Sequence, residues 1–216
     1  MPAGSIHLSV AKIVNEKLKK DEKIFFVANI APDCWRHSKL HGDKHKSHFS
    51  VDYNLNGLDV KIEDYNEFYK KYKNNLDDVF VLGYLIHLMV DNYWKKNVTS
   101  RYHFNIDGKK KIKTKTGYFE GTNEEIKKFL HDNNAILTIN IVKNFNIELI
   151  NPNINIECIV EEIDLSGLVK TINYVNETNF LIINEDSEIY ELEELYQDVL
   201  NCSEFVIKEL EKLNYL

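Results

Sequence analysis

Glycine and proline are scarce in this chain, at 8 and 3 of its 216 residues. That scarcity argues against a turn-rich β architecture and for long helices. Cysteine is scarcer still: Cys34, Cys158 and Cys202 are widely spaced and odd in number, and no CxxC pair occurs. A disulfide framework and a thiolate zinc site are therefore both excluded as expectations. A basic excess is missing too. Lys and Arg number 27 against 34 Asp and Glu, a net charge of −7, which argues against a broad nucleic-acid footprint. No apolar run reaches the roughly 18 residues of a membrane-spanning helix. The opening "MPAGSIHLSVAKIVNEKLKK" lacks the charged start, apolar core and cleavage site of a secretory signal. The expected setting is cytoplasmic.

What remains is an ordinary globular composition, 44% hydrophobic and 28% charged, enough for one domain over 1–216 with a sizeable core. The pattern is helical almost throughout. Residues 5–20 carry Ile6, Val10, Ile13, Val14 and Leu18 as an apolar stripe, with Ser5 as a cap. Residues 22–30 are apolar and stop at "APD", where Pro32 disfavours helix in the residue before it. Residues 34–50 form a basic, His-rich connector with Gly42. Aromatic residues recur at helical spacing in 62–74, and 76–97 is the strongest helix. The Lys- and Gly-rich stretch 105–121 reads as a loop. Thr122 and Glu125 form a capping box for a helix over 122–149. An Asn-rich segment broken by Pro152 then leads to helical patterns at 156–175 and 188–213. The expectation is an all-α, multi-helix domain.

Within the strongest helix, "GYLIHLMVD" (83–91) places His87 and Asp91 four residues apart on one face of an otherwise apolar segment. Burying either group alone is costly. The pair is either a structural His–Asp hydrogen bond or two metal ligands on one turn. Further donors come from separate stretches: His7 beside the first apolar stripe, Asp33 after Pro32, and His48 where the chain turns apolar at Phe49. His37, His41 and His45 read as a solvated loop. Three or four His and Asp ligands from several elements are what a zinc site requires, although spacing alone does not assemble them in space.

"MPAGSIHLSVAK", "NIAPDCW", "KSHF" and "LGYLIHLMVD" occur in that order. Together they resemble the zinc-dependent phospholipase C family, in its smaller bacterial members without a signal sequence, whose fold is similar to that of single-strand-specific zinc nucleases. The resemblance covers residues 1–97. It implies that Asp33, His48, His87 and Asp91 hold one zinc, and that His7 belongs to a second, with Asp91 bridging. It further implies a metal-dependent phosphoesterase acting on a phospholipid head group or small phosphodiester through metal-activated water. Asp33 is the candidate general base, although a nearby cation would depress its pKa and make it a poor one.

Two departures from the family pattern matter. The third zinc of the secreted members uses His, His and Glu downstream of the long helix; here Asn97 stands near the first position, His103 is the one histidine nearby, and His131-Asp132 is the one other pair. The secreted members also use their processed amino terminus as a ligand, for which Pro2 is the counterpart here. One or two ions are therefore expected. Cys34 reads as a small buried hydrophobe beside Asp33, and Trp35 and Trp94 as packing around the site. Arg36 and the lysines at 39, 44 and 46 are either phosphate contacts or a solvated basic loop. The competing functions are a non-catalytic metal-binding protein, a nuclease-like phosphodiesterase, for which −7 is the wrong sign, and more remotely an HD-type phosphohydrolase.

Overall fold

A helix that is apolar on every side has to be buried on every side. The helix α5 (Val79–Tyr93) meets that condition: each residue from Phe80 to Asn92 is buried. It starts at Asp78, whose side chain accepts from the backbone N–H groups of Phe80 and Val81, and it runs directly into a π-helical turn, Trp94–Val98. The computed structural model describes residues 2–38, 43–181, 183 and 185–216. His41, Lys39 and Gly42 of the basic connector lie outside them.

The other elements wrap this helix. Helix α1 (Gly4–Leu18) packs on α5, and α2 (Glu22–Ala28) runs against it at close range. The short α3 (Lys44–Ser47) follows the connector, and α4 (Tyr65–Tyr72) lays Phe68 flat against Tyr84 of α5, ring centroids 4.9 Å apart. Helices α6 (Asn123–Asn144), α7 (Leu168–Asn179) and α8 (Leu192–Lys212) all contact α1, and α8 also reaches α5. No helix among the described residues is long and apolar enough to cross a membrane.

The expected capping box is present, with the Thr122 side chain accepting from the Glu125 N–H and the Glu125 carboxylate accepting from the Thr122 N–H. Ser5 does not cap α1: it lies inside the helix, buried, and the N-cap is Ala3.

The all-α expectation needs correcting. The chain is mostly helical, but it also has two small antiparallel sheets: β1 (Ser50–Leu55) with β2 (Leu58–Glu63), and β3 (His103–Ile106) with β4 (Lys109–Lys113) and β5 (Tyr118–Phe119). The stretch 105–121 is thus mostly sheet and not loop. Both hairpins turn on a pair with positive φ, Asn56-Gly57 (52° and 79°) and Asp107-Gly108 (54° and 76°), the two-residue turn whose twist matches paired strands. The first turn docks on the second sheet near β3: Asn56 donates to the carbonyls of Ser100 and His103. A second correction concerns 156–175, where the helix starts only at Leu168 after a 3₁₀ turn, Leu165–Gly167.

The approach of α2 to α5 depends on Gly83. A Cβ there would stand 2.5 Å from the Ala28 Cβ and 3.1 Å from the Phe25 carbonyl oxygen. In an open helix, Gly→Ala gains up to about 1 kcal/mol. Here overpacking reverses the sign, and Gly83→Ala should destabilise the protein by about 1–3 kcal/mol. Urea unfolding of the two proteins measures it; an unchanged or higher midpoint would show that the helices yield freely.

Candidate metal centre

Four elements converge on one buried cluster. Helix α1 contributes His7, the 3₁₀ turn Ala31–Arg36 contributes Asp33, the residue ending α3 is His48, and α5 contributes His87 and Asp91. All five donors picked out in the sequence are in it. Among the described residues, donor atoms of His7, Asp33 and His87 lie within 4.8 Å of one another, as do those of His48, His87 and Asp91. His7, His48, His87 and Asp91 are buried; the Asp33 side chain is 20% exposed.

The spacings are longer than those of strong hydrogen bonds. His48 Nε2 stands 3.5 Å from Asp33 Oδ1, 3.6 Å from Asp91 Oδ2 and 3.4 Å from His87 Nε2. His87 Nε2 is 3.8 Å from Asp91 Oδ2, and His7 Nε2 is 3.4 Å from Asp91 Oδ1. Charge-assisted hydrogen bonds are about 2.7–2.9 Å long. Donors around a tetrahedral ion, with ligand lengths of about 2.0–2.2 Å, stand roughly 3.3–3.6 Å apart. Four of the five spacings fall at that edge length and the fifth is slightly wide.

The tautomer of His87 points the same way. His87 Nδ1 lies 2.8 Å from the carbonyl oxygen of Asn29, which can only accept, so Nδ1 carries the hydrogen and Nε2 presents a lone pair. Ser47 Oγ lies 2.8 Å from His48 Nδ1 and within reach of the Pro32 and Lys44 carbonyls, which ties the Nδ1 edge of the His48 ring to the protein and leaves Nε2 turned to the cluster. The Nε2 atoms of His48 and His87 face each other at 3.4 Å. Both carboxylate oxygens of Asp91, both ring nitrogens of His7 and Asp33 Oδ1 are buried without a hydrogen-bond partner among the described residues. Buried polar groups left this way cost several kcal/mol (about 1–3 each even for neutral ones), and a cation in their midst satisfies them together. The residues fit a divalent ion held by imidazole and carboxylate.

His7 and His87 are stacked, ring centroids 4.0 Å apart and planes within 7°. A ring-nitrogen lone pair lies in its ring plane, and nearly parallel planes do not meet nearby. The two rings cannot both aim at one point, and Asp91 turns Oδ1 to His7 and Oδ2 to His48 and His87.

Electrostatics favour the ligating protonation states. Burial pulls His87 down to about 3, helped by His7 and opposed by Asp91 and Asp33, so its ring is neutral at neutral pH. Burial raises Asp91 and Asp33, but the histidines around both carboxyls, with Arg36 near Asp33, outweigh it and hold them well below the usual carboxylate range. A carboxyl so acidic is a poor general base. Cys34 is no soft ligand: burial pushes its thiol up to about 12, and it donates to the Asp164 carbonyl.

The cluster opens at His7 and Asp33 into a cavity of about 690 Å³, also lined by Pro2, Trp35, Trp94 and His103. His131 lies on its wall, while Asp132 pairs with Lys128. Asn97 is exposed, bonded to the Tyr93 carbonyl, and does not line the cavity. His45 is exposed. Sequence reading missed Glu63, fully buried on β2, whose Oε1 is 2.6 Å from Lys95 and which Asp91 affects electrostatically. The Asn-Gly turn that announces its hairpin was the available signal. Comparisons with protein-family models, with curated proteins and with solved structures find no match.

A histidine kept neutral by the fold takes its proton only on unfolding. The stability this contributes to metal-free protein is complete above the ordinary value of 6.5 and is lost as pH falls towards about 3. Between about pH 6 and about pH 5, His87 should account for about 1 kcal/mol of lost stability. Chelated wild type should therefore show a steeper acid slope than chelated His87→Gln in urea unfolding, and equal slopes would contradict the burial argument.

Proposed function

We propose that this chain is a metal-dependent phosphoesterase of the zinc-dependent phospholipase C kind. The observation that carries the reading is the buried cluster of His7, Asp33, His48, His87 and Asp91, with orphaned donor atoms at metal-edge spacing, at the inner end of a cavity. The order of its motifs along the chain adds the family resemblance. When bound, a divalent ion such as zinc supplies Lewis acidity towards a phosphoryl oxygen and activates water near neutral pH.

The chain's own residues do the rest. Asn29 fixes the tautomer of His87, so that its Nε2 offers a lone pair without a proton to displace, and Ser47 orients the His48 ring through Nδ1. Asp91 offers one oxygen to each side of the cluster, and two separate histidine planes favour two ion positions over one. Asp33, partly exposed at the cavity floor, is the ligand nearest an incoming substrate, and its acidity makes it an acceptor that holds a water in place instead of a strong base. A volume of about 690 Å³ is in the range of small-ligand sites, about 300–1,000 Å³.

One observation favours a second reading, a metal-binding protein without turnover. The positions that would complete a third ion site are not assembled: Asn97 faces away, and His103 has no carboxylate within salt-bridge distance among the described residues.

Loss of outer-shell partners alone costs about 10–100-fold in metal affinity or activity. Asp91→Asn removes half the anionic ligands and should cost at least as much in both metal content and hydrolysis of a chromogenic phosphate ester. His103→Ala should keep its full metal content. Elemental analysis of protein never exposed to chelator reads the first quantity, and less than half an equivalent of divalent metal in the wild type would overturn the proposal. Full metal without hydrolysis of phosphodiesters, phosphomonoesters or phospholipids would establish the non-catalytic reading.

A further inference from the structure

The cavity does not share the charge of the protein. The chain as a whole carries −7, yet the charged side chains on the cavity wall, apart from the cluster ligand Asp33, are Arg36, Lys44 and Lys127, all cationic. Lys127 is largely exposed and paired with Glu124 at 2.7 Å, and Arg36 lies over the face of Trp35, 5.4 Å from the ring centre. Lys44 differs from both. It opens α3, one turn before His48, whose N–H bonds back to the Lys44 carbonyl, so the two side chains share a face of that turn. It is half-buried and lines the cavity. No carboxylate lies within 4.0 Å of its ammonium among the described residues, although it feels Asp91, Glu63 and Asp33 at longer range. Lys46, two residues on, is exposed and off the cavity wall.

A half-buried lysine with no carboxylate in direct contact, lining a cavity beside the candidate metal cluster, is suited to an anion that arrives with the substrate. A quaternary ammonium head group needs the reverse: carboxylates, or aromatic faces free to receive it. Here the one carboxylate on the wall is a cluster ligand; of the aromatic residues on the wall, Trp35 already carries a guanidinium over its face, Trp94 and Tyr190 are buried, and Tyr174 packs against His37.

We propose that Lys44 is the anion-recognising residue of this cavity, and that the site selects phosphate esters with net negative charge, phosphomonoesters foremost, over zwitterionic ones. The inference rests on the phosphoesterase reading for the role of the bound ester, but its evidence is the cavity wall and not the cluster.

The test is calorimetric titration of zinc-loaded protein, with metal content measured on each sample, using inorganic phosphate, glycerol 3-phosphate and the zwitterionic diester glycerophosphocholine as ligands. Wild type should bind glycerol 3-phosphate at least about tenfold more tightly than glycerophosphocholine, and Lys44→Met should lose about 10–100-fold in phosphate affinity, the size of a hydrogen bond to a charged group, and with it the preference. Lys44→Arg should recover most of the loss, and Lys46→Met should match wild type. Glycerophosphocholine binding as tight as glycerol 3-phosphate, equal losses in Lys44→Met and Lys46→Met, or no phosphate binding by wild type would each overturn the proposal. Should Lys44→Met fail to fold, an unchanged preference in a folded Lys44→Gln would do the same. If the protein holds no metal and Lys44-dependent phosphate binding persists, the phosphoesterase reading fails while the anion site stands.

Discussion

Asp91 sets the constraint that the rest of the architecture answers. Its carboxylate is fully buried in the most apolar helix of the chain, and neither oxygen receives a hydrogen bond among the described residues. An ionised carboxylate in such a place costs far more than any single packing contact returns, unless a cation or donors are brought to it. The elements that meet α5 bring imidazoles: His7 from α1 on one oxygen, His48 beside α3 and His87 from α5 itself on the other. Of the three imidazoles, His87 is held neutral and brings a lone pair instead of a charge. The fold thus buries ionised carboxylates beside a neutral ring nitrogen, an arrangement that becomes more favourable once a cation sits among them.

The same charge is felt on the far side of α5. Burial raises the pKa of Glu63 on β2, and the Asp91 charge raises it further, while Lys95 opposes both at 2.6 Å. Lys95 also donates to the Lys61 carbonyl, and Asn92 donates to that of Glu63. The first hairpin is therefore fastened to the last turn of α5 and the π-helical turn beyond it through a buried ion pair. A π-helical turn often marks a functional site, and this one begins at Trp94, three residues after Asp91 and on the cavity wall. Positive charge in the cluster would relieve Glu63 as well as Asp91, so the hairpin and the buried His–Asp cluster share one electrostatic account.

The helices were legible in the sequence where one local rule decided them. The stretch 79–90, apolar but for His87, could only be buried, and Thr122 with Glu125 could start a helix without tertiary help. Ser5 shows the limit of such rules, since tertiary packing begins α1 a residue earlier and buries the serine. The hairpins were legible too, through Asn56-Gly57 and Asp107-Gly108, but helical periodicity elsewhere drew attention from two-residue turns, and β1 is largely exposed, with little apolar alternation to announce it. Residues 156–164 carry isoleucines at helical spacing yet pack as an extended segment that ends in the Asp164-capped turn. The five cluster residues were each conspicuous as polar groups beside apolar stretches. What spacing could not supply was their meeting point, which depends on the packing of α1 and α2 against α5, and in particular on the close approach that Gly83 permits. The cavity wall was not legible either: Lys44 and Lys46 look alike in sequence, and only the turn of α3 puts one inside and the other out.

The ring planes add a last step. Distance alone groups His7 with Asp33 and His87, as though the three could hold one ion. The 7° angle between the His7 and His87 planes, at a centroid separation of 4.0 Å, argues otherwise, because a nitrogen donor binds along its ring plane. His48 meets the His87 ring edge-on at 73°, with the two Nε2 atoms 3.4 Å apart. Asp91 turns one oxygen to each side of the stacked pair, Oδ1 to His7 and Oδ2 to His48 and His87, and the i, i+4 spacing of His87 and Asp91 on α5 is what sets imidazole and carboxylate side by side on one face.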